Sequence, residues 1–272
     1  MTESEIVELK KQIALLKKGN EVLNKKLKAS EGLKTHFISN IMNEIYNPFT
    51  SILMMSENII NLDKEKLDQA YAMANLIHSE AAKLDFHLKN IFAAAMIEAG
   101  LDDVDCKSTD IQKLLDSVIR TFASSLKNKN IKIENTSINR NLAEVNTDKN
   151  KISLIFSNLI SNAIKFSNDS GIIEVEIKED NSNLTFTIKD SGPGITDNHK
   201  DEIFDRFERL DDTINSITGG NGLGLSIVKA YVELLNGTIE IKNTKGTKIT
   251  IVIPVCTAEE ADDDLFDDEE LF

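Results

Sequence analysis

The chain contains no tryptophan, and aromatic residues make up only 6% of its 272 residues. Because hydrophobic residues still make up 41%, this composition predicts helices that pack through aliphatic side chains, in a chain long enough for two domains. No run of about 18 apolar residues is present, and the start lacks a basic segment followed by an apolar one. We therefore expect a cytoplasmic chain that does not insert directly into a membrane.

Cysteine is scarce as well. Cys106 and Cys256 lie far apart, and neither belongs to a CxxC pair or has a histidine at metal-binding spacing. The sequence therefore predicts a buried, inert thiol at each position, and it gives no sign of zinc or redox chemistry.

Acidic residues outnumber basic ones, and the formal net charge is −14. Without a basic stripe, the sequence does not predict nucleic-acid binding. Nine acidic side chains and no basic one fall in the last fourteen residues, so we expect residues 257–272 to be a disordered acidic tail. This tail either only adds solubility or docks on a basic partner through its leucine and phenylalanine side chains.

Apolar residues recur at alternating steps of three and four near the N-terminus, with Asn20 at one inner position of the seam. This heptad pattern predicts a coiled-coil helix over residues 1–32. An inner asparagine favours a parallel two-stranded register, so we expect a parallel homodimer. The apolar seam residues are Ile6, Leu9, Ile13, Leu16, Leu23 and Leu27.

A second helical repeat follows the short polar connection at residues 61–65 and extends from Leu67 to Ala95. Two long helices joined by so few residues pack antiparallel, so residues 33–99 are predicted to form a helical hairpin. One hairpin has too narrow an apolar seam to make a full core. We expect two hairpins to dimerise into a four-helix bundle that continues the coiled coil.

The periodicity changes near Val104. From there, short alternating strand patterns are interleaved with helical segments at 111–126, 149–166 and 224–235. Because the strands occur in adjacent, hairpin-like pairs, we predict an α+β sandwich with a mixed sheet over residues 104–256.

This last segment contains three motifs in a fixed order. In the first, Asn158 and Asn162 lie one helical turn apart, with Lys165 on the same face or close to it. Amide oxygens suit a hard cation such as Mg²⁺, and the ammonium group suits a phosphate. The first motif therefore predicts a place where a metal-bound phosphate group binds.

The second motif begins with Asp190 at the end of a strand, followed by Gly192 and Gly194 in a sharp turn. Its carboxylate can accept a hydrogen bond from an adenine amino group. The third motif is the glycine cluster of residues 219–224, which opens a helix and brings N–H donors to phosphate oxygens. Together the three motifs predict an ATP site.

These motifs, with the segment Phe204–Phe207, resemble the four boxes of the GHKL ATPase superfamily, or Bergerat fold. Within it they resemble the catalytic domain of two-component sensor histidine kinases, over residues 105–255. The resemblance implies ATP and Mg²⁺ as cofactors, Asn162 and Asn158 as Mg²⁺ ligands, and a mobile lid at 210–220. The positions to which it assigns nucleotide contacts are Asn158, Asn162, Lys165, Phe166, Asp190, Gly192, Gly194, Ile195, Phe204, Arg209, Gly220, Gly222, Leu223, Gly224 and Leu225.

The helical hairpin resembles the dimerisation and phosphotransfer domain of the same kinases over residues 37–49. Where that family carries its phosphoacceptor histidine, this chain has Asn43. An amide nitrogen has its lone pair delocalised into the carbonyl, so we predict that the chain is defective in autophosphorylation. The resemblance implies a general-base position at Glu44 and, with Asn47, a pattern that assists hydrolysis of a partner's phosphoaspartate.

Three histidines elsewhere in the chain could in principle accept a phosphoryl group. His36 lies two helical turns, or about 10 Å, before Asn43. This is too far for His36 to accept a phosphoryl group that is aligned for transfer to position 43. His78 and His87 fall on the second predicted helix. From the sequence we favour loss of the acceptor over replacement by one of these residues.

The sequence thus predicts a homodimeric, histidine-kinase-like pseudokinase of two-component signalling. We expect it to bind ATP and Mg²⁺, to dock the receiver domain of a response regulator, and to regulate or dephosphorylate that partner. Three alternatives stay open. They are an active histidine kinase in which Asn43 is an engineered replacement of histidine, a GHKL clamp of the chaperone or topoisomerase kind, and a non-catalytic dimeric scaffold that senses nucleotide.

Overall fold

The chain divides into two units, Met1–Asn43 and Glu44–Phe272. The computed structural model describes residues 16–20, 39, 41–63, 65–136, 144–180, 182–195, 202–204 and 222–256. The predicted coiled coil of residues 1–32 is described only at 16–20, which are helical and exposed. The predicted acidic tail lies outside the described residues.

The second unit begins with a helical hairpin. Helix α1 covers residues 44–60, and helix α2 covers Leu67–Ala99. Helix α2 ends at Gly100, which has a left-handed φ of 66° and donates its N–H to the last helical turn. Glu44, at the start of α1, lies 3.0 Å from His87, which is late in α2. The two helices therefore run antiparallel, as their short connection predicts.

The rest of the second unit is an α/β domain built on a five-stranded sheet. The described strands of the whole domain are β1 (Lys107–Thr109), β2 (Lys132–Asn135), β3 (Val145–Thr147), β4 (Ile172–Asp180), β5 (Asn183–Lys189), β6 (Thr238–Thr244) and β7 (Gly246–Pro254). The sheet order is β2-β4-β5-β7-β6, and β1 pairs separately with β3. Only the β2–β4 pair is parallel among these described pairs. The mixed sheet of the α+β prediction is confirmed.

In the described part of this domain, four helices accompany the sheet: α3 (Ile111–Thr121), α4 (Ala123–Asn128), α5 (Lys149–Phe166) and α6 (Gly224–Leu234). Two of them begin after an aspartate, Asp110 for α3 and Asp148 for α5, whose side chain accepts backbone N–H groups of the first turn. The helix predicted over 111–126 is broken at Phe122. Its ring packs edge-on against Phe86 of α2, with ring centres 5.7 Å apart, and this long-range contact is not visible in local periodicity.

The core lies on one face of the sheet. Side chains of β4, β5 and β7 are alternately buried and half-buried, as expected for strands with one covered face. Helix α5 contributes the largest buried stripe, and its Phe156 meets Phe186 of β5 edge-on at 4.8 Å between ring centres. Helix α5 is therefore packed against the sheet, which positions the motif residues that it carries.

Cys106 and Cys256 form a disulfide that spans 150 residues of sequence, so the prediction of two inert thiols is wrong. Cys256 follows β7, and its N–H bonds at 3.0 Å to the carbonyl oxygen of Asn146 in β3. Because β3 pairs with β1, which begins just after Cys106, the pairing brings the two sulfurs together. Spacing along the sequence does not reveal such a contact.

Purified without reductant and then denatured, the chain should show no thiol that reacts with an alkylating reagent, and two after reduction. Each sulfur is consumed by the bond, so only reduction exposes it. The matched control is Cys106→Ser, which should show a single thiol without reduction. Two reactive thiols in the unreduced chain would contradict the pairing.

A buried ionic cluster holds the linker between α2 and β1. The ammonium of Lys151 lies 2.8 Å from the carboxylate of Asp102 and 3.0 Å from that of Asp148. Burial alone lowers the pKa of Lys151, but the hydrogen bonds to the two carboxylates outweigh it and raise this pKa overall. Burial, together with the hydrogen bond to Asp102, raises the pKa of Tyr231 as well. The cluster fixes the chain where it leaves the hairpin.

Candidate functional site

Asp190 lies at the end of β5 and is only 8% exposed. Its Oδ1 accepts hydrogen bonds from the N–H of Gly192 at 2.8 Å and of Thr247 at 3.0 Å. Its own N–H donates to the carbonyl oxygen of Thr247 at 2.9 Å. The carboxylate is therefore held from two sides, and Oδ2 is the oxygen left to accept from a ligand.

Two glycines are required where the chain passes Asp190. Gly246, with a φ of 113°, lies so close that a Cβ there would collide with the backbone carbonyl oxygen of Asp190. A Cβ on Gly192 would collide with the carbonyl oxygen of Phe166, at the end of α5. The β6–β7 turn thus packs directly against Asp190, and the end of α5 packs against the turn that follows it.

Asn158 is buried on α5, with 3% of its surface exposed. Its Nδ2 donates to Oδ1 of Asn90 on α2 at 2.7 Å and to the carbonyl oxygen of Leu154 at 2.9 Å. Both amide hydrogens are therefore used, which identifies Oδ1 as the free acceptor. That oxygen would lie 2.7 Å from a Cβ built on Gly224, so it faces the first residue of α6.

Asn162 lies one turn further along α5 and is half-buried. Among the residues that the structure describes, its amide has no hydrogen-bond partner. Lys165 is also half-buried, and its ammonium lies 4.8 Å from the ring centre of the exposed Phe166. The two asparagine oxygens fit a hard cation, because neither is consumed by a contact within the described part of the protein.

Helix α6 begins at the glycine cluster. Gly222 has a left-handed φ of 66°, and Leu223 is buried at the N-cap position. Gly224 and the half-buried Leu225 form the first turn. The N–H groups of this turn have no partner within the helix, which is the general property that lets a helix start bind phosphate.

The remaining predicted contacts are only partly described. Gly194 has a φ of 80° and packs against the side-chain amide of Asn243, and Ile195 is half-buried. Phe204 lies in a short 3-10 turn, Glu202–Phe204, where the ammonium of Lys229 is 5.5 Å from its ring centre. Outside the described residues lie Arg209, Gly220, the predicted lid at 210–220 and His36.

Residues 147–257 match the family described as histidine kinase-, DNA gyrase B- and HSP90-like ATPase. This stretch contains Asn158, Asp190 and Gly224, the three positions around which the site is built. This part of the chain is similar to the ATPase domain that these proteins share. The resemblance inferred from the motifs is confirmed for this domain.

The chain is also similar to proteins named as histidine kinases. Sensor histidine kinase TmoS of Ectopseudomonas mendocina is 29% identical over 245 residues, which cover 89% of this chain and 25% of TmoS. The chain spans about a quarter to a third of the first curated relatives that it matches. No helix among the described residues is long and apolar enough to cross a membrane.

Two solved structures resemble the fold. Full-length ShkA in complex with AMPPNP has a TM-score of 0.58 and 22% identity, and the match covers 84% of this chain and 46% of ShkA. Histidine kinase ThkA in complex with the response regulator protein TrrA has a TM-score of 0.51 and 21% identity, with 85% and 65% covered. At these identities the likeness concerns the fold alone.

The hairpin that precedes the ATPase domain carries the second group of predicted site residues. Asn43 and Asn47 are both exposed helical residues. Glu44 is half-buried, and its Oε2 lies 3.0 Å from Nδ1 of His87 on α2. This contact is at ion-pair distance but out of line for a hydrogen bond, and Oε2 has no hydrogen-bond partner among the described residues.

Two residues at these sites were not predicted from the sequence: Asn90 orients the amide of Asn158, and Thr247 fixes Asp190. His87 was considered only as an alternative acceptor, and its contact with Glu44 was not predicted. A glycine between two strand patterns, such as Gly246, indicates that another part of the backbone lies close to it, and the sequence alone reveals this signal. Nothing local in the sequence distinguishes Asn90 or His87 from other polar residues of a long helix.

Proposed function

We propose that this chain is a cytoplasmic, parallel homodimeric, histidine-kinase-like signalling protein that binds ATP with Mg²⁺ and docks the receiver domain of a response regulator. In this proposal, residues 1–32 are a coiled coil, 33–99 form the dimeric bundle and 104–256 bind nucleotide. Phosphoryl transfer to position 43 is lost, and the hairpin instead speeds loss of the receiver's phosphoryl group.

The nucleotide part rests on one observation: the free oxygen of Asn158 faces the start of α6 while Asp190 presents a fixed carboxylate in the same domain. Oδ2 of Asp190 would accept from the adenine amino group. The first turn of α6 and Lys165 would bind the phosphates. Asn162 and Asn158 would hold Mg²⁺, which supplies charge neutralisation on the phosphates when it is bound.

The docking part rests on the surface of the hairpin. Both helices expose large apolar side chains, and apolar surfaces of this kind mark sites of protein association. The ThkA–TrrA complex, which shares this fold, contains a histidine kinase with a response regulator, and it supports a receiver as one partner. The exposed apolar residues of α1 and α2 are Tyr46, Phe49, Leu53, Met54, Ile60, Leu67, Tyr71, Leu76, Phe92 and Met96.

The loss of transfer at position 43 follows from the chemistry of Asn43. An amide nitrogen shares its lone pair with the carbonyl, so it cannot attack a γ-phosphoryl group as an imidazole does. Hydrolysis of a phosphoaspartate has no such requirement, because the nucleophile is water. The exposed amide of Asn47 is one helical turn beyond Asn43 and can orient that water toward phosphorus.

With a phosphorylated receiver domain as substrate, the protein should accelerate decay of the phosphoaspartate, and Asn47→Ala should reduce that acceleration about 10- to 100-fold. Docking should remain nearly unchanged, because the apolar surface is intact. The measurement is a decay time course of the labelled receiver, with receiver binding recorded separately by calorimetry.

Asn58→Ala is the matched control for this experiment, because Asn58 is also an exposed asparagine of α1. It should leave both the decay rate and the binding unchanged. Equal decay with and without the protein, or acceleration that persists in Asn47→Ala, would contradict the phosphatase role. A nucleotide-sensing scaffold would then describe the protein better.

A further inference from the structure

His87 is a side chain that neither the nucleotide site nor receiver hydrolysis employs. It lies on α2, and its side chain is 26% exposed, so a small group can reach it. The side chain of Glu44 is 17% exposed and turns its fully buried Oε2 toward Nδ1 of this histidine at 3.0 Å. The imidazole thus lies beside a buried carboxylate oxygen that has no hydrogen-bond partner among the described residues.

A histidine beside a carboxylate is a common arrangement for a nucleophile with a base. When Nδ1 carries the proton and faces the carboxylate, Nε2 keeps a free lone pair. The carboxylate can take the Nδ1 proton as Nε2 forms a new bond, so the ring does not accumulate positive charge. Glu44 and His87 are close enough for this pairing, with Oε2 and Nδ1 3.0 Å apart.

The position of His87 on α2 links it to the nucleotide site. Asn90 lies three residues further along, and side chains at this spacing are about 5–6 Å apart on a helix. Asn90 accepts the 2.7 Å hydrogen bond from Asn158, whose oxygen faces Gly224 at the start of α6. His87 is therefore one helical turn from the residue that holds the metal-ligand candidate of the ATPase domain.

His78 on the same helix lacks both features. It is exposed and precedes His87 by nine residues, or about 13 Å along the helix axis. The carboxylate of Glu44 pairs with His87 instead. This comparison separates His87 from a histidine that merely lies on the hairpin surface.

We propose that His87 accepts the γ-phosphoryl group of ATP in place of the residue missing at position 43. The Nε2 lone pair forms a bond to the γ-phosphorus as the bond from that phosphorus to the bridging oxygen breaks. The electron pair of the broken bond leaves with ADP. The Nδ1 proton passes to Glu44, so the products are ADP, a protonated carboxylate and a neutral phosphorylated imidazole.

This inference rests on the proposed nucleotide site, but not on receiver hydrolysis. Transfer from ATP uses His87 and Glu44, whereas decay of a receiver's phosphoaspartate was assigned to Asn47. Asn43 remains unable to accept a phosphoryl group in either reaction. The sequence alone favoured loss of any acceptor. The contact between Glu44 and His87, which the sequence does not reveal, favours His87 as the acceptor instead.

The test uses the full chain with Mg²⁺ and ATP labelled at the γ position. We expect a label that is lost in acid and stable in base, and that maps by mass spectrometry to the peptide containing His87. His87→Gln should abolish it, and Glu44→Gln should slow its appearance about 100-fold or more, as loss of a general base does. The matched control His78→Gln should be labelled like the unaltered chain.

ATP binding is measured on every variant by calorimetry, so that folding and nucleotide binding are known separately. An unaltered chain that binds ATP but takes up no acid-labile label overturns the inference and leaves the proposed nucleotide site standing. Label that persists in His87→Gln also overturns it. Absence of ATP binding in the unaltered chain overturns the proposed nucleotide site itself, and the transfer to His87 with it.

Discussion

Replacing Lys151 with methionine should lower the free energy of unfolding by about 3–5 kcal/mol. Methionine preserves most of the side-chain volume but removes the cation between Asp102 and Asp148, whose side chains are 15% and 2% exposed. Two negatively charged carboxylates would then remain close together with no cation between them. Unfolding in urea at neutral pH, followed by circular dichroism, measures this loss.

Lys149→Met is the matched control, because Lys149 is an exposed residue at the start of the same helix. Its effect should stay within about 0.5 kcal/mol, as is usual for surface positions. A similar effect for the two variants would show that the buried cluster does not stabilise the fold.

The Lys151 cluster also has a defined pH dependence. The pKa of Lys151 is raised above its ordinary value of 10.5 in the folded protein. Its contribution to stability is therefore fully present below that ordinary pKa and is lost as the pH rises through the higher folded value. The difference in unfolding free energy between the unaltered chain and Lys151→Met should thus be constant near neutral pH and shrink in strong base.

Asp190→Asn should weaken ATP binding by about 1–3 kcal/mol, or about 5- to 150-fold. The N–H groups of Gly192 and Thr247 both point at Oδ1, so an asparagine must keep its oxygen there. Its NH₂ group would then occupy the position of Oδ2 and face the amino group of adenine. Two donors would oppose each other in a buried site, which leaves both unsatisfied.

Calorimetric titration with ATP and Mg²⁺ decides this prediction. The matched control is Asp180→Asn, because Asp180 also accepts two backbone N–H bonds, from Ser182 and Asn183, but lies at the end of β4. It should bind ATP like the unaltered chain. Unchanged ATP affinity in the double variant Asp190→Asn with Asn162→Ala would show that the nucleotide does not bind in this pocket.

Much of the fold was predictable because local patterns encode it. The apolar repeat from Leu67 onward predicts α2, and the alternating runs predict β4, β5 and β7 with one covered face. The break at Phe122 was not predictable, because it coincides with a contact to Phe86 on a distant helix. The dimer and the coiled coil stay predictions.

The sequence by itself determined which types of side chain form the candidate nucleotide site. Asn158 and Asn162 on one helical face, and glycines beside Asp190 and at the start of α6, are fixed by spacing within a few residues. Such short-range spacing has the same geometric meaning wherever a helix or a turn occurs. For this reason the types of ligand-binding group could be predicted before any tertiary contact was known.

Only the tertiary structure decided what holds these groups and what lies beside them. The partner of Asn158 is 68 residues away and that of Asp190 is 57 residues away. The disulfide joins positions 150 residues apart, and Glu44 meets His87 across the hairpin. Each of these contacts depends on strand register and on how helices pack, and these are set by the summed burial of many side chains rather than by any local motif.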